Sequence, residues 1–204
     1  MTNEIYEPKE DSLLLEKYVK KFARGFVLDI GTGSGIQAKA AAEKADFVIG
    51  IDINQESLDF CKKNIKSNKI LFLKSDMFSF FEKKHMILSN GLLKEICDAK
   101  NKFNKFDTII FNPPYLPEDE NTKDIALDGG KKGYEIIERF LIKAKKFLAE
   151  DGLMLLVFSS FTNKEKIDEL IQENGFKFEE LEKIHISFED IYCYKITVNF
   201  ARNL

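Results

Sequence analysis

Long apolar runs are missing from this sequence. No stretch approaches the roughly 20 apolar residues that a helix needs to cross a bilayer, and the opening MTNEIYEPKED carries acids where a signal peptide has a basic and then an apolar run. Secretion and membrane insertion are both disfavoured. Cysteine is scarce: Cys61, Cys97 and Cys193 are odd in number and far apart, which supplies neither a disulfide framework nor the paired spacing of a zinc site. A reducing cytoplasm, with no metal, is the expected setting. Charge of one sign is also in short supply, since 31 basic residues face 34 acidic ones and leave a formal net charge of -3. A protein whose affinity rests on neutralising many phosphates needs a basic surplus, so duplex nucleic acid is a disfavoured partner. No internal repeat, low-complexity tract or Pro/Gly-rich linker marks a second domain, and 204 residues at 44% apolar suffice for one core. One domain over 1–204 is expected.

What the chain does have is an alternation of short apolar runs with longer segments of helical period between Phe26 and Phe158. That pattern predicts an α/β fold, a mostly parallel sheet covered by helices. The candidate strands are Phe26 to Ile30, Phe47 to Ile51, Ile70 to Leu73, Phe106 to Phe111 and Leu153 to Ser159. Ile136, Ile137, Phe140, Leu141, Ala144, Phe147 and Leu148 make one helical stripe, with Asp151-Gly152 as its stop. A further helix is expected near Asn163 to Asn174. Beyond it, apolar and polar residues alternate over Phe176 to Phe188 and Ile191 to Phe200, the pattern of an antiparallel pair closing the sheet edge. Seven strands with a terminal antiparallel hairpin resemble the Rossmann-like fold of class I methyltransferases, whereas a dinucleotide-binding sheet keeps its sixth strand parallel. Residues 1–24 are expected to form a helical segment over the ligand site. Residues 78–105, with a plausible helix at Leu92 to Lys100, read as an insertion of unassigned role.

Val27-Leu28-Asp29-Ile30 runs into Gly31-Thr32-Gly33-Ser34-Gly35 and then a helix, so backbone N–H groups come to lie beside a ligand at the carboxyl end of the sheet. A nicotinamide fingerprint wants glycine three residues after Gly33, where Ile36 stands. Gly31-x-Gly33-x-Gly35 after an acid instead resembles the methyltransferase form. Asp52 ends the second strand about 20 residues on, where a carboxylate accepts from both ribose hydroxyls. Asp76, after the third strand, is placed to accept from an adenine amine, with Met77 against the ring. A lone Asp in such a place is more often a helix cap or a solvated turn. Acids at three successive strand ends reverse that preference.

The fourth strand leads directly into Asn112-Pro113-Pro114-Tyr115. Two prolines stiffen the turn and make the Asn112 side chain and the Pro113 carbonyl convergent acceptors, which grip a planar NH2 group. Holding both N–H bonds turns the nitrogen toward a methyl donor, so the rate gain comes from orientation. Tyr115 offers a flat face to the substrate group. His85 and His185 lie near no recognisable motif and read as surface or sheet residues rather than bases.

Tyr6-Glu7-Pro8-Lys9-Glu10-Asp11-Ser12, the Asp29 to Gly35 loop, Asp52, Asp76-Met77, Asn112 to Tyr115 and Ala126-Leu127-Asp128-Gly129-Gly130 with Gly133 and Glu135 together resemble the HemK/PrmC methyltransferases. The resemblance implies S-adenosylmethionine as cofactor, S-adenosylhomocysteine as product, and the glutamine of the GGQ tripeptide in class I translation release factors as target. It implies Ser12, Asp29, Gly31, Gly33, Gly35, Asp52, Asp76 and Met77 on the cofactor, Asn112 at the boundary, and Asn112, Pro113, Pro114 and Tyr115 on the substrate. Bacterial members carry a helical domain ahead of the catalytic one; here the first strand begins at Phe26, which resembles the short eukaryotic and archaeal branch. In that branch a small zinc-binding activator often pairs with the enzyme. The interval from Asp76 to Asn112 is longer than the branch usually shows.

The main rival is methylation of an exocyclic adenine or guanine amine on RNA or DNA, since a base amine is also a planar NH2 held flat for attack. Lys62-Lys63, Lys83-Lys84, Lys100 to Lys105 and Lys131-Lys132 would have to supply the backbone path, and acids interrupt them. A lysine target needs a base that is not evident, and a non-catalytic subunit would not need intact motifs.

Overall fold

The computed structural model describes residues 7–82, 105–115 and 130–199. Tyr6, Cys97, His85, the segment Ala126 to Gly129 and most of the 78–105 insertion, including Leu92 to Lys100, lie outside the described residues. In chain order the elements are helix α1 (Glu10–Phe22), strand β1 (Phe26–Ile30), α2 (Ile36–Ala41), β2 (Phe47–Asp52), α3 (Gln55–Asn64), β3 (Ile70–Lys74), the short α4 (Ser79–Glu82), β4 (Phe106–Phe111), α5 (Glu135–Phe147), β5 (Leu148–Ser159), a 3-10 turn (Ser160–Thr162), α6 (Lys164–Glu173), β6 (Phe176–Ile186) and β7 (Glu189–Val198). The seven strands form one sheet in the order β3-β2-β1-β4-β5-β7-β6. The first five run parallel, and β7 is antiparallel to both β5 and β6, as the alternating C-terminal pattern predicts.

Each central strand buries both faces, and successive residues go to opposite sides. Val27, Val48, Ile110 and Leu155 face α1, α2 and α3. Leu28, Ile49, Ile109 and Leu156 face α5 and α6, whose Ile137, Phe140, Leu141, Phe147, Ile167 and Leu170 are buried against them. This two-sided burial is why the strands read as unbroken apolar runs rather than alternating ones. Helix ends follow local chemistry: the Asn54 side chain accepts from the Glu56 amide and caps α3, and α5 opens on Glu135 and Glu138 and closes on Lys145 and Lys146, matching its dipole.

One boundary differs from expectation. The helical stripe was expected to include Leu148 and to stop at Asp151-Gly152, but α5 ends at Phe147 and Leu148 already pairs with Phe106 at the start of β5. Leu148 is buried in either conformation, so its burial did not discriminate between them. The register shift between Phe106 and Thr108 absorbs the additional strand residues. Gly152 lies in that irregular stretch, where a Cβ would come within 3.0 Å of the Phe106 carbonyl oxygen. Among the described residues, no helix is long and apolar enough to cross a membrane.

The chain runs outward from β1 to β3 and then returns to β4 on the other side of β1. That reversal opens a crevice at the carboxyl ends of β1 and β4, where open α/β sheets bind ligands.

Candidate active site

Ile30 of β1 is level with Ile51 of β2 and Phe111 of β4, so the residues just after these strands share one rim. With strands about 4.8 Å apart, Asp52 and Asn112 stand at strand ends on either side of the Gly31 loop. Gly31, Gly33 and Gly35 all take positive φ, at 65°, 51° and 80°. At Gly31 a Cβ would meet nothing within 4 Å, which leaves that side open to a ligand, whereas at Gly35 it would lie 2.4 Å from Ile65 Cδ1 and 2.9 Å from Cys61 Sγ. The loop therefore needs glycine at one place for its backbone and at the other also for its fit on α3. Cys61 donates its thiol to the Gly33 carbonyl at 3.2 Å from below.

Two acids brace this loop. Asp29 is buried and accepts from Thr32 Oγ1 at 2.6 Å. Burial raises its carboxyl from 3.8 to about 7, against the opposing pull of the Thr32 and Ala38 hydrogen bonds. Asp52 accepts from the Gly33 amide at 2.9 Å with Oδ2 and from the Asn54 amide at 2.8 Å with Oδ1. Each oxygen keeps a further lone pair, so the acceptor capacity that ribose hydroxyls require is present. Burial also pushes the Asp52 carboxyl upward. On the next strand end, Asp76 is half-exposed and Met77 is buried with φ 45°.

Asn112 and its neighbours form the second half of the site. The Asn112 amide donates from Nδ2 to Asp11 Oδ2 at 3.1 Å and to Ser12 Oγ at 3.3 Å. Tyr115 donates its hydroxyl to the same Asp11 oxygen at 3.1 Å. Asn112 Oδ1 is buried and has no partner among the described residues. Gln37 donates from Nε2 to the Ser12 carbonyl at 2.8 Å and ties α2 to the first turn of α1, leaving its own Oε1 as the other buried orphan. Pro113 is buried behind the motif, with Pro114 half-buried. Among the described residues, no group of three or more His, Cys, Asp or Glu side chains could hold a metal ion.

Of the residues singled out from sequence, Ser12, Asn112 and Tyr115 converge on one cluster, and Asp29, Gly31, Gly33, Gly35 and Asp52 on an adjoining one. Asp76 and Met77 stand at the far strand end. Asp11, Gln37 and Arg139 were not anticipated. Asp11 carried a signal, being an acid inside the Glu-Pro-x-Glu-Asp-Ser motif; Gln37 and Arg139 sit on helices whose pattern gives nothing away.

A glycine loop after β1, acids at the next two strand ends and an Asn-Pro-Pro-Tyr turn after β4 define a class I methyltransferase. The profile of the family described as "Methyltransferase domain" matches residues 23–194. The chain is 35% identical over 196 residues to a Methanocaldococcus jannaschii protein named as an N5-glutamine methyltransferase, covering 92% of this chain and 89% of that one. It is 30% identical to the release factor glutamine methyltransferase of Buchnera aphidicola over 86% of this chain, and spans 62% of that protein's length. Among solved structures, the E. cuniculi Mtq2-Trm112 complex, described as responsible for methylating the eRF1 translation termination factor, superposes with TM-score 0.69 at 22% identity over 95% of this chain and 98% of that one, which shows a shared fold. The chain belongs to the methyltransferase-domain family, in its HemK/PrmC line of glutamine methyltransferases.

Proposed function

We propose that this protein moves a methyl group from S-adenosylmethionine to the side-chain amide nitrogen of a glutamine, that of the GGQ tripeptide in a class I peptide chain release factor. The observation that carries the reading is the fixed orientation of Asn112. Its Nδ2 is held by Asp11 and Ser12, so Oδ1 is presented as a buried acceptor without a donor. A buried acceptor left unmet costs about 1–3 kcal/mol, which an N–H of the substrate amide recovers.

The Pro113 carbonyl takes the second N–H, and Tyr115, anchored through its hydroxyl, lays its ring along the flat amide. Both hydrogen-bonding directions of the substrate NH2 are then committed, and the face of its nitrogen is turned to the crevice between β1 and β4. The bound cofactor supplies an electrophilic methyl on its sulfonium sulfur. Gly31, Gly33 and Gly35 allow its close approach, Asp52 accepts from its ribose, Asp76 and Met77 meet its adenine, and Ser12 and Asp29 lie toward its amino-acid end. Positioning accounts for the acceleration, and S-adenosylhomocysteine is the product.

The names of the Methanocaldococcus and Buchnera relatives support the glutamine target. The complex in which the Mtq2 neighbour occurs supports a small activator subunit, zinc-binding as in the branch it resembles, and a cytoplasmic setting suits both partners. The experiment is transfer of labelled methyl to a release factor bearing GGQ and to its GGA variant, each with and without a candidate activator. Label on GGQ alone is the expected result. Label on RNA or DNA and on neither protein would replace this reading with a nucleobase one.

A further inference from the structure

The carboxylate of Asp76 is divided between two directions. Arg139 of α5 donates from Nη2 to Oδ1 at 2.7 Å, while Oδ2 receives no donor among the described residues. The same nitrogen lies 3.7 Å from the sulfur of Met77, so the guanidinium runs along the side chain that adjoins the carboxylate. The turn beneath is tied down. Ser75 Oγ donates to the Met77 carbonyl at 2.6 Å and accepts from the Phe80 amide at 3.1 Å, holding Met77 in a left-handed conformation uncommon outside glycine. Phe78 stacks on Phe147 at 4.6 Å and on Phe140 at 5.9 Å, both on the helix that carries Arg139. Arg139, Asp76 and Met77 are thereby fixed to one another.

We propose that Arg139 sets the base preference of the cofactor site. By occupying Oδ1 it holds the Asp76 carboxylate turned so that Oδ2 accepts from the exocyclic amine of adenine. A carboxylate has only acceptors, so a base with a carbonyl at that position meets a repulsive pair instead of a hydrogen bond. Arginine stays charged across the accessible pH range and offers a planar fork, so the arrangement does not lapse as conditions change. The half-exposed ion pair itself adds little to folding, which separates its effect on a ligand from any effect on the fold. This inference rests on the S-adenosylmethionine reading above.

The test is calorimetric titration of the whole chain with S-adenosylhomocysteine and with its deaminated analogue, which carries hypoxanthine in place of adenine. The unaltered protein prefers the adenine ligand by roughly tenfold or more. Arg139→Met weakens the adenine ligand by a similar factor and leaves the analogue unchanged, so the preference collapses, and Arg139→Lys restores part of it. Asp76→Asn, which brings an amide donor to the same place, moves the preference toward the analogue. Retention of the original preference in Arg139→Met, with both affinities unchanged or both lowered equally, overturns the proposal. Failure of the unaltered protein to bind either ligand has a different signature and removes the cofactor reading itself.

Discussion

The carboxylate of Asp11 accepts from the amide nitrogen of Asn112 at 3.1 Å, across 101 positions of sequence. Asp11 is the charged one of the two acceptors, with Ser12 Oγ, that select the flip of the Asn112 amide presenting Oδ1 to substrate. Asp11 is a positioning residue in this sense: it acts through Asn112 and Tyr115.

Asp11→Asn should lower the transfer rate by roughly 10- to 100-fold, in line with a loss of one charge-assisted hydrogen bond. Affinity for S-adenosylhomocysteine, read by calorimetry, should stay within about threefold. Equal loss of rate and affinity would place Asp11 on the cofactor instead.

Asn112→Ala removes the acceptor outright. Transfer is expected to fall on the order of 100-fold or more while the cofactor still binds, because the missing contact belongs to the orientation of the reacting amide. Single-turnover rates at saturating cofactor, compared with binding, separate the two.

The buried Asp29 gives a pH dependence with a defined sign. Its carboxyl, raised to about 7 from 3.8, takes up a proton in the folded, empty protein that the unfolded chain lacks between those values. By this group alone the empty protein gains stability as pH falls from 7 toward 3.8 and loses it as pH rises through 7. Binding of a cationic cofactor favours the ionised form, so affinity should fall as pH drops below about 7. Thermal melting and calorimetry across this range should show opposite slopes, and Asp29→Asn should flatten both.

Gly35→Ala tests the glycine loop. The added Cβ meets Ile65 and Cys61 at φ 80°, and the expected loss is roughly 2 kcal/mol or more of stability. Burial pushes the Cys61 thiol up to about 12, so it should resist alkylation at mildly alkaline pH in the natural protein and react faster in the variant. Unchanged alkylation would mean the loop accommodates the methyl group.

The parallel strands, the glycine loop and the Asn112 turn were legible because each is written in adjacent residues: an apolar run, a spacing of glycines, a pair of prolines. The junction at Leu148 was not, since a residue buried as the last of a helix looks the same as one buried as the first of a strand. Asp11 was visible as part of a motif but not as the hub of Asn112 and Tyr115, because that pairing exists only once α1 is packed against α2 and β5. Arg139 resembled any charged residue on the outer side of an amphipathic helix, and its contacts with Asp76 and Met77 depend on the turn after β3. Local chemistry is read from sequence, whereas the partners that orient it come from the fold.

The hydroxyl of Tyr18 on α1 donates to the Leu181 carbonyl at 3.1 Å and to Glu182 at 2.9 Å, where a bulge between Glu180 and Glu182 interrupts β6, and Lys17 pairs with the same carboxylate. The helix that bears Asp11 is thus tied at its first turn to Gln37 of α2 and, further along, to a strand 164 positions away in sequence. Contacts of such long sequence separation form late and slowly. A chain stopped short of β6 holds the glycine loop and the Asn-Pro-Pro-Tyr turn without this brace on α1, so the helix that orients Asn112 keeps its tie to α2 and loses its tie to the sheet edge.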